Sequence, residues 1–162
     1  MRNEPYEDWA EFYAEQRILP YLRTAVDQGQ FDKAQAEVFE RVCELLPQLP
    51  GPQEPPARLH GDAWSGNVHW AADGRAWLID PAAHGGHRET DLAMLRLFGL
   101  PMLGDVLEAY ADAAKKAGTP LADGVTDRVG LHQIFPLLVH TVLFGGSYAA
   151  QALTAARSAA TL

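Results

Sequence analysis

Leu59-His60-Gly61-Asp62-Ala63-Trp64-Ser65-Gly66-Asn67 sets an Asp and an Asn five positions apart, in a run too rich in glycine to be a helix. Thirteen residues after Asn67, a second apolar run, Leu78-Ile79, ends at Asp80-Pro81. Between them, Val68-His69-Trp70 and Ala76-Trp77-Leu78-Ile79 read as short strands, and Asp73-Gly74 is a strong hairpin turn signal. An antiparallel pair returns its ends to the same side. The loop with Asp62 and Asn67 can therefore face Asp80, and the spacing points to a shared site. Arg58–His60 reads as a short extended segment leading into that loop.

The flanks on both sides are helical in pattern. Upstream, Trp9, Phe12, Tyr13, Leu19, Leu22 and Val26 recur at helical spacing, which predicts a helix over Pro5–Val26 with a kink or restart at Pro20. Phe31, Ala34, Val38, Val42, Leu45 and Leu49 form one stripe, predicting a second helix over Phe31–Leu49. Cys43 lies beside that stripe and reads as a small buried hydrophobe, not a nucleophile. The proline-rich stretch Pro47–Pro56 reads as a stiff loop. Downstream, His84-Gly85-Gly86-His87 reads as a loop, and Thr90 or Asp91 as the cap of a helix through Leu92, Leu95 and Phe98. Further helices are expected over Gly104–Lys116, Asp127–Phe144 and Ser147–Ser158, with Gly145-Gly146 separating the last two. His132 and His140, on an apolar helix, read as packed or surface histidines. The pattern is mainly α with a small β-hairpin. There are no internal repeats, and every connecting loop is short.

Composition narrows the function classes. The chain has 162 residues, of which 48% are hydrophobic and 21% charged, as in an ordinary globular domain with a real core. Its net charge of −8 argues against a nucleic-acid partner or an acidic membrane surface, both of which reward clustered Lys and Arg. A phosphorylated substrate stays compatible, because a bound cation neutralises phosphate locally. One cysteine leaves no internal disulfide and fits a reducing compartment. No apolar run approaches a membrane span, and the first residues lack a signal-peptide pattern, so the expected location is the cytoplasm.

Phosphoryl transfer to a hydroxyl needs the chemistry that this loop and hairpin offer. One carboxylate must hold the acceptor hydroxyl in line and take its proton, and two further oxygen ligands must hold magnesium against nucleotide phosphates. Asp, four residues, Asn, a hairpin and then Asp is also the catalytic-loop-to-metal order of protein kinases. Taken residue by residue, Asp and Asn beside Gly are equally ordinary turn formers.

The sequence resembles the fructosamine kinase (ketosamine-3-kinase) family, a branch of the aminoglycoside phosphotransferase-like, protein-kinase-like fold. The resemblance is carried by H-G-D-A-W-S-G-N (60–67), I-D-P-A (79–82) and G-H-R-E-T-D-L-A-M-L (86–95). It extends to D-W-A-E-F-Y-A-E-Q-R-I-L-P near the start and H-Q-I-F-P-L-L-V-H-T-V-L-F-G-G-S-Y (132–148), so it covers nearly the whole chain. Trp64 separates the family from aminoglycoside phosphotransferases, which usually carry His there. Ala63, where the family usually has Leu, removes packing volume but no reacting atom.

The resemblance implies an ATP- and magnesium-dependent kinase acting on a sugar hydroxyl of a fructosamine or ketosamine. Asp62 would be the catalytic base, and Asn67 and Asp80 would hold magnesium and, through it, the nucleotide. Trp64 would pack against the sugar, with core filling as its other role. His60 would brace the loop, and Asp91 would anchor it from a helix N-terminus. A kinase also needs a small lobe with a glycine-rich loop and a phosphate-binding Lys. Neither is seen, since Lys33, Lys115 and Lys116 all fall on expected helices. The chain is therefore expected to be the C-terminal lobe over residues 1–162, without the N-terminal nucleotide-binding lobe, inactive alone and prone to self-association through the uncovered surface. Three other readings stay open: an aminoglycoside phosphotransferase-like kinase of another small molecule, a metal-dependent phosphohydrolase, and a non-catalytic interaction protein built on a kinase large lobe. The phosphohydrolase motif would need His after Asn67, where Val68 stands.

Overall fold

The computed structural model describes residues 4–49 and 51–162. They form seven α-helices and two small antiparallel sheets, grouped into two compact units.

The first unit comprises Met1–Gln53 and Thr126–Leu162. Helix α1 (Trp9–Phe12) starts at Asp8, whose carboxylate accepts from the N–H groups of Ala10 at 2.7 Å and Glu11 at 3.2 Å. The expected single helix then widens into a π-helical turn, Tyr13–Ile18, before α2 (Leu19–Asp27) resumes. Pro20 is the reason. It offers no N–H to the carbonyl of Gln16, and its ring would collide with that carbonyl in a regular helix. The wide turn moves the ladder to Leu19 N–H→Ala14 O. The Gln16 carbonyl instead accepts from the Arg17 guanidinium at 3.2 Å. That guanidinium is itself buried over the rings of Phe12 and Phe135.

Helix α3 (Lys33–Leu45) is shorter than its apolar stripe, because a reciprocal capping box fixes its start. Gln35 N–H donates to Asp32, and Gln35 Oε1 accepts from the Asp32 N–H. Phe31 lies outside the helix yet is buried against Phe39, with ring centroids 5.0 Å apart. Pro47 lies within a short 3₁₀ turn, Leu46–Gln48, and so is not yet in the loop.

Helices α6 (Val129–Phe144) and α7 (Ser147–Ala159) pack on each other, with Leu131, Ile134 and Leu138 buried on one and Ala152, Ala156 and Ala159 on the other. Gly145 and Gly146, at φ 62° and 63°, make the break between them. Pro136 sits inside α6. One residue before it, the buried Tyr13 hydroxyl enters the helix ladder, donating to Leu131 O at 2.9 Å and accepting from Phe135 N–H at 3.3 Å.

The second unit is Glu54–Val125. The expected hairpin is present as β2 (Val68–Trp70) paired with β3 (Ala76–Leu78), Val68 opposite Leu78. A second antiparallel pair joins β1 (Ala57–Leu59) to β4 (His84–Gly86), Leu59 opposite His84. The glycine- and histidine-rich segment is thus a strand, where the sequence read as a loop. Helices α4 (Glu89–Phe98) and α5 (Leu103–Lys116) follow. Arg88 closes the unit: its guanidinium donates to Glu54 at 2.6 Å, Thr119 O at 2.6 Å and Pro120 O at 2.7 Å. The hairpin leaves Trp70, Trp77 and Leu78 at 47%, 56% and 62% exposure. Among the described residues, no helix is long and apolar enough to cross a membrane.

Candidate active site

The loop between β1 and β2 is held from below by α4. Helix α4 begins at Glu89, so Asp91 is not its cap but lies in its first turn. Its carboxylate reaches the loop instead, Oδ2 accepting from His60 N–H at 2.7 Å and Oδ1 from Gly61 N–H at 3.0 Å. A carboxylate in the first turn is also favoured by the helix dipole. Gly61 is required where it stands. Its φ is 79°, and a Cβ there would fall 2.2 Å from Ala82 O.

His60 links the loop to the far end of the hairpin. Its Nε2 lies 3.0 Å from Ile79 O, and its Nδ1 lies 3.3 Å from the Asp62 backbone nitrogen. A neutral ring protonated at Nε2 satisfies both contacts, donating to the carbonyl and accepting from the amide. On the other side, Ile79 N–H donates to Asn67 O at 3.0 Å. Both backbone groups of Ile79 are therefore tied to the loop, which brings the start of the Asp80 segment against it.

Asn67 is buried at the end of a 3₁₀ turn, Ser65–Asn67. Its Nδ2 donates to Asp62 twice, to the backbone carbonyl at 2.9 Å and to the carboxylate Oδ2 at 2.9 Å. Two acceptors on one nitrogen fix the orientation of the amide, so Oδ1 is turned away from them. Among the described residues, neither Asn67 Oδ1 nor Asp62 Oδ1 has a hydrogen-bond partner. Asp80 is exposed, with a left-handed backbone at φ 52°, and its carboxylate has no partner among the described residues. The fold thus joins Asp62 directly to Asn67, braces both through His60 and Asp91, and attaches Asp80 through its neighbour Ile79.

Trp64 is 40% exposed, so it is not core filler. Its indole lies across the backbone of Gly66, where a Cβ would come within 2.3 Å of Cη2. The ring also meets Phe98 edge to face, with centroids 6.4 Å apart and planes at 68°. Phe98 carried no sequence signal beyond its place on the apolar side of α4. In the first unit, burial pushes the Cys43 thiol up to about 12, with further push from Glu15, Glu40 and Glu44. That fits the expectation that Cys43 is no nucleophile.

The comparisons with known proteins agree with one another. The fructosamine kinase family model matches residues 1–159. Mouse ketosamine-3-kinase is 34% identical over 157 residues, which is 96% of this chain and 48% of that protein. A probable ketoamine kinase of Thermus thermophilus is 38% identical over 144 residues, 87% of this chain and 48% of that protein. The solved structure of a candidate fructosamine-3-kinase from Thermobifida fusca superposes with a TM-score of 0.93 at 54% identity, covering 100% of this chain and 54% of the other. The chain spans about half the length of the relatives that it matches. With a family model matched over almost every residue and this loop among them, the chain belongs to the fructosamine kinase family.

Proposed function

We propose that this chain is the acceptor- and metal-binding lobe of an ATP- and magnesium-dependent kinase with a protein-kinase-like fold, which phosphorylates a sugar hydroxyl of a fructosamine or ketosamine. The observation that carries the reading is the double hydrogen bond from Asn67 Nδ2 to Asp62. It leaves one carboxylate oxygen of Asp62 without a partner, as a base needs, and turns the Asn67 amide oxygen outward, as a metal ligand needs. Family membership makes a sugar–amine substrate and a nucleotide donor the chemistry to test first.

In this reading Asp62 Oδ1 accepts the hydrogen of the acceptor hydroxyl, orients its lone pair toward the γ-phosphorus and takes the proton as the O–P bond forms and the bond from phosphorus to the bridging oxygen of the leaving ADP breaks. Asn67 and Asp80 would hold magnesium. The donor set fits, because an amide oxygen and a carboxylate are hard oxygen ligands and magnesium completes its sphere with water. When bound, the cation would neutralise charge on the transferred phosphoryl group. His60 and Asp91 act through the backbone, fixing the loop so that Asp62 needs no reorganisation. Trp64 faces the sugar, where an aromatic plane attracts both an apolar sugar face and the cationic amine.

The nucleotide is covered by a second lobe that docks on the exposed hairpin face of Trp70 and Leu78, which by register share one side of the pair. Without that lobe the chain does not turn over and self-associates through this apolar surface. The protein acts in the cytoplasm.

The test is activity on Nε-fructosyl-lysine with ATP and magnesium, in a protein carrying this chain behind a nucleotide-binding lobe. Asp62→Asn keeps the shape of the side chain and removes the proton acceptor, so turnover should fall by roughly 10²- to 10⁴-fold. Turnover within a few fold of the parent would refute the assignment of the base. Activity on aminoglycosides but not on ketosamines would move the chain to the other substrate class.

A further inference from the structure

We propose that Phe98, together with the bare backbone of Gly66, is a positioning residue that sets the indole plane of Trp64 and through it the affinity for the acceptor. The inference rests on the reading that Trp64 faces the acceptor. It adds what determines the ring's orientation, which no motif in the loop explains.

Two independent contacts define that orientation. One is steric. Gly66 is the only side-chain-free position within the 3₁₀ turn Ser65–Asn67, and the Trp64 ring occupies the space a Cβ would need, with Cη2, Cζ2 and Cζ3 at 2.3, 2.5 and 2.7 Å from it. Gly66 is not at a positive φ, so the glycine serves the ring and not the backbone conformation. The other is electrostatic. The 68° angle and 6.4 Å separation between Trp64 and Phe98 are the edge-to-face geometry that two aromatic quadrupoles prefer. Phe98 is the last residue of α4, is half-buried, and is followed by Gly99 at φ 74°, which ends the helix.

Trp64 is 40% open to solvent, and among the described residues Phe98 is its one aromatic ring partner. A large half-exposed ring loses affinity for a ligand if it must first be ordered on binding. Phe98 removes that cost in advance. The same helix α4 carries Asp91 in its first turn and Phe98 at its last residue. One rigid element thus sets both the backbone of the Asp62 loop and the plane of Trp64.

The experiment uses the purified 162-residue chain and two readouts. The first is the indole N–H resonance of Trp64, assigned by its loss in Trp64→Phe, with its order measured by heteronuclear relaxation. Phe98→Leu keeps an apolar side chain at this half-buried position but offers no aromatic edge, so the resonance should shift and lose order while the rest of the spectrum stays in place. Phe98→Tyr restores the edge and should restore the resonance. Gly66→Ala should displace it as well. The second readout is titration with Nε-fructosyl-lysine. Affinity should fall roughly 3- to 10-fold in Phe98→Leu and recover in Phe98→Tyr, as expected for one aromatic pair.

A Trp64 resonance unchanged in position and order in Phe98→Leu would overturn the positioning role. So would an affinity lost in Trp64→Ala but kept in Phe98→Leu, which would leave Trp64 as the acceptor platform. An affinity unaffected by Trp64→Ala, or no binding by the parent chain, would count against the platform reading itself. In that case the indole spectrum alone decides whether Phe98 positions the ring.

Discussion

Replacing Asp91 with Ala should loosen the Asp62 loop without unfolding the chain. The Asp91 carboxylate accepts two backbone N–H groups, at 2.7 and 3.0 Å. Hydrogen bonds to a charged acceptor contribute about 1.5–3 kcal/mol each. Their simple sum overstates the loss, because His60, Gly61 and Asp91 are all half-buried and water can reach the freed amides. A net cost of about 2–4 kcal/mol follows, against a total stability of about 5–15 kcal/mol for a domain. The chain should therefore stay folded. Opening of the loop, however, should become roughly 30- to 1,000-fold more frequent, since about 1.4 kcal/mol is a factor of ten. Amide hydrogen exchange reads this directly, as lost protection at His60 and Gly61 with unchanged protection in α6. Asp91→Asn keeps one acceptor oxygen and turns an NH₂ toward the other amide, so it should unprotect one of the two amides more than the other. Protection at both amides within about threefold of the parent in Asp91→Ala would refute the reasoning, because that is below the smallest loss given by two charged hydrogen bonds.

Tyr13→Phe deletes the hydroxyl that bridges Leu131 O and Phe135 N–H, leaving two buried helix groups without their partner. Urea denaturation should show a loss of about 1–3 kcal/mol, and a midpoint equal to that of the parent would mean that the ladder closes without it. Cys43, whose thiol burial raises from 9.0 to about 12, supplies a pH test. A raised folded-state pKa contributes stability that is fully present below the unfolded value and lost as pH rises through the folded value. The stability difference between parent and Cys43→Ala should thus shrink from pH 9.0 to about 12 and be constant below that window. A difference that grows with pH would reverse the sign and refute the burial argument.

The parts of this fold legible in the sequence are those set by neighbours along the chain. Asp73-Gly74 between two β-rich runs is enough for the hairpin, and the alternation of Gly with Asp and Asn is enough to place the loop before it. The longer helices follow from their apolar stripes. What sequence reading missed depends on contacts made across the fold. The π-helical turn at Tyr13–Ile18 follows from Pro20 together with the Arg17 guanidinium over the freed Gln16 carbonyl. The β1–β4 pair enlists Gly85 and Gly86, residues of low strand propensity whose partners lie beyond the hairpin. The Tyr13 hydroxyl enters a helix 118 residues away in sequence, and no periodicity encodes that. The loop acids were legible as a group from their spacing, and the brace only through the family resemblance, which implies that Asp91 anchors the loop from a helix N-terminus: by local pattern Asp91 looks like a helix cap, and the start of α4 at Glu89 leaves its carboxylate for the loop.

Asp62 and Asp80 are held in opposite ways, and the difference bears on the roles proposed for them. Asp62 is fixed through its side chain, with one carboxylate oxygen already committed to Asn67. Asp80 is fixed through its backbone alone. Its left-handed φ of 52° is disfavoured for a residue with a Cβ, by about 1–3 kcal/mol in general and at the lower end for Asp, which tolerates this region better than most. Such a conformation persists only where its surroundings over-determine it. Here they do. Ile79 before it is bonded through N–H to Asn67 O and through C=O to His60, and Pro81 after it has a locked φ. The carboxylate meanwhile has no partner among the described residues. A rigid backbone carrying an uncommitted carboxylate is what a cation ligand requires, since binding then costs neither loop ordering nor the breaking of an existing hydrogen bond. A base has a different requirement. It must stay aimed at one hydroxyl while its proton affinity changes, and the bond from Asn67 to the second oxygen of Asp62 meets that need. Asn67 is the residue common to both arrangements: its amide nitrogen holds Asp62, and its carbonyl holds the residue before Asp80.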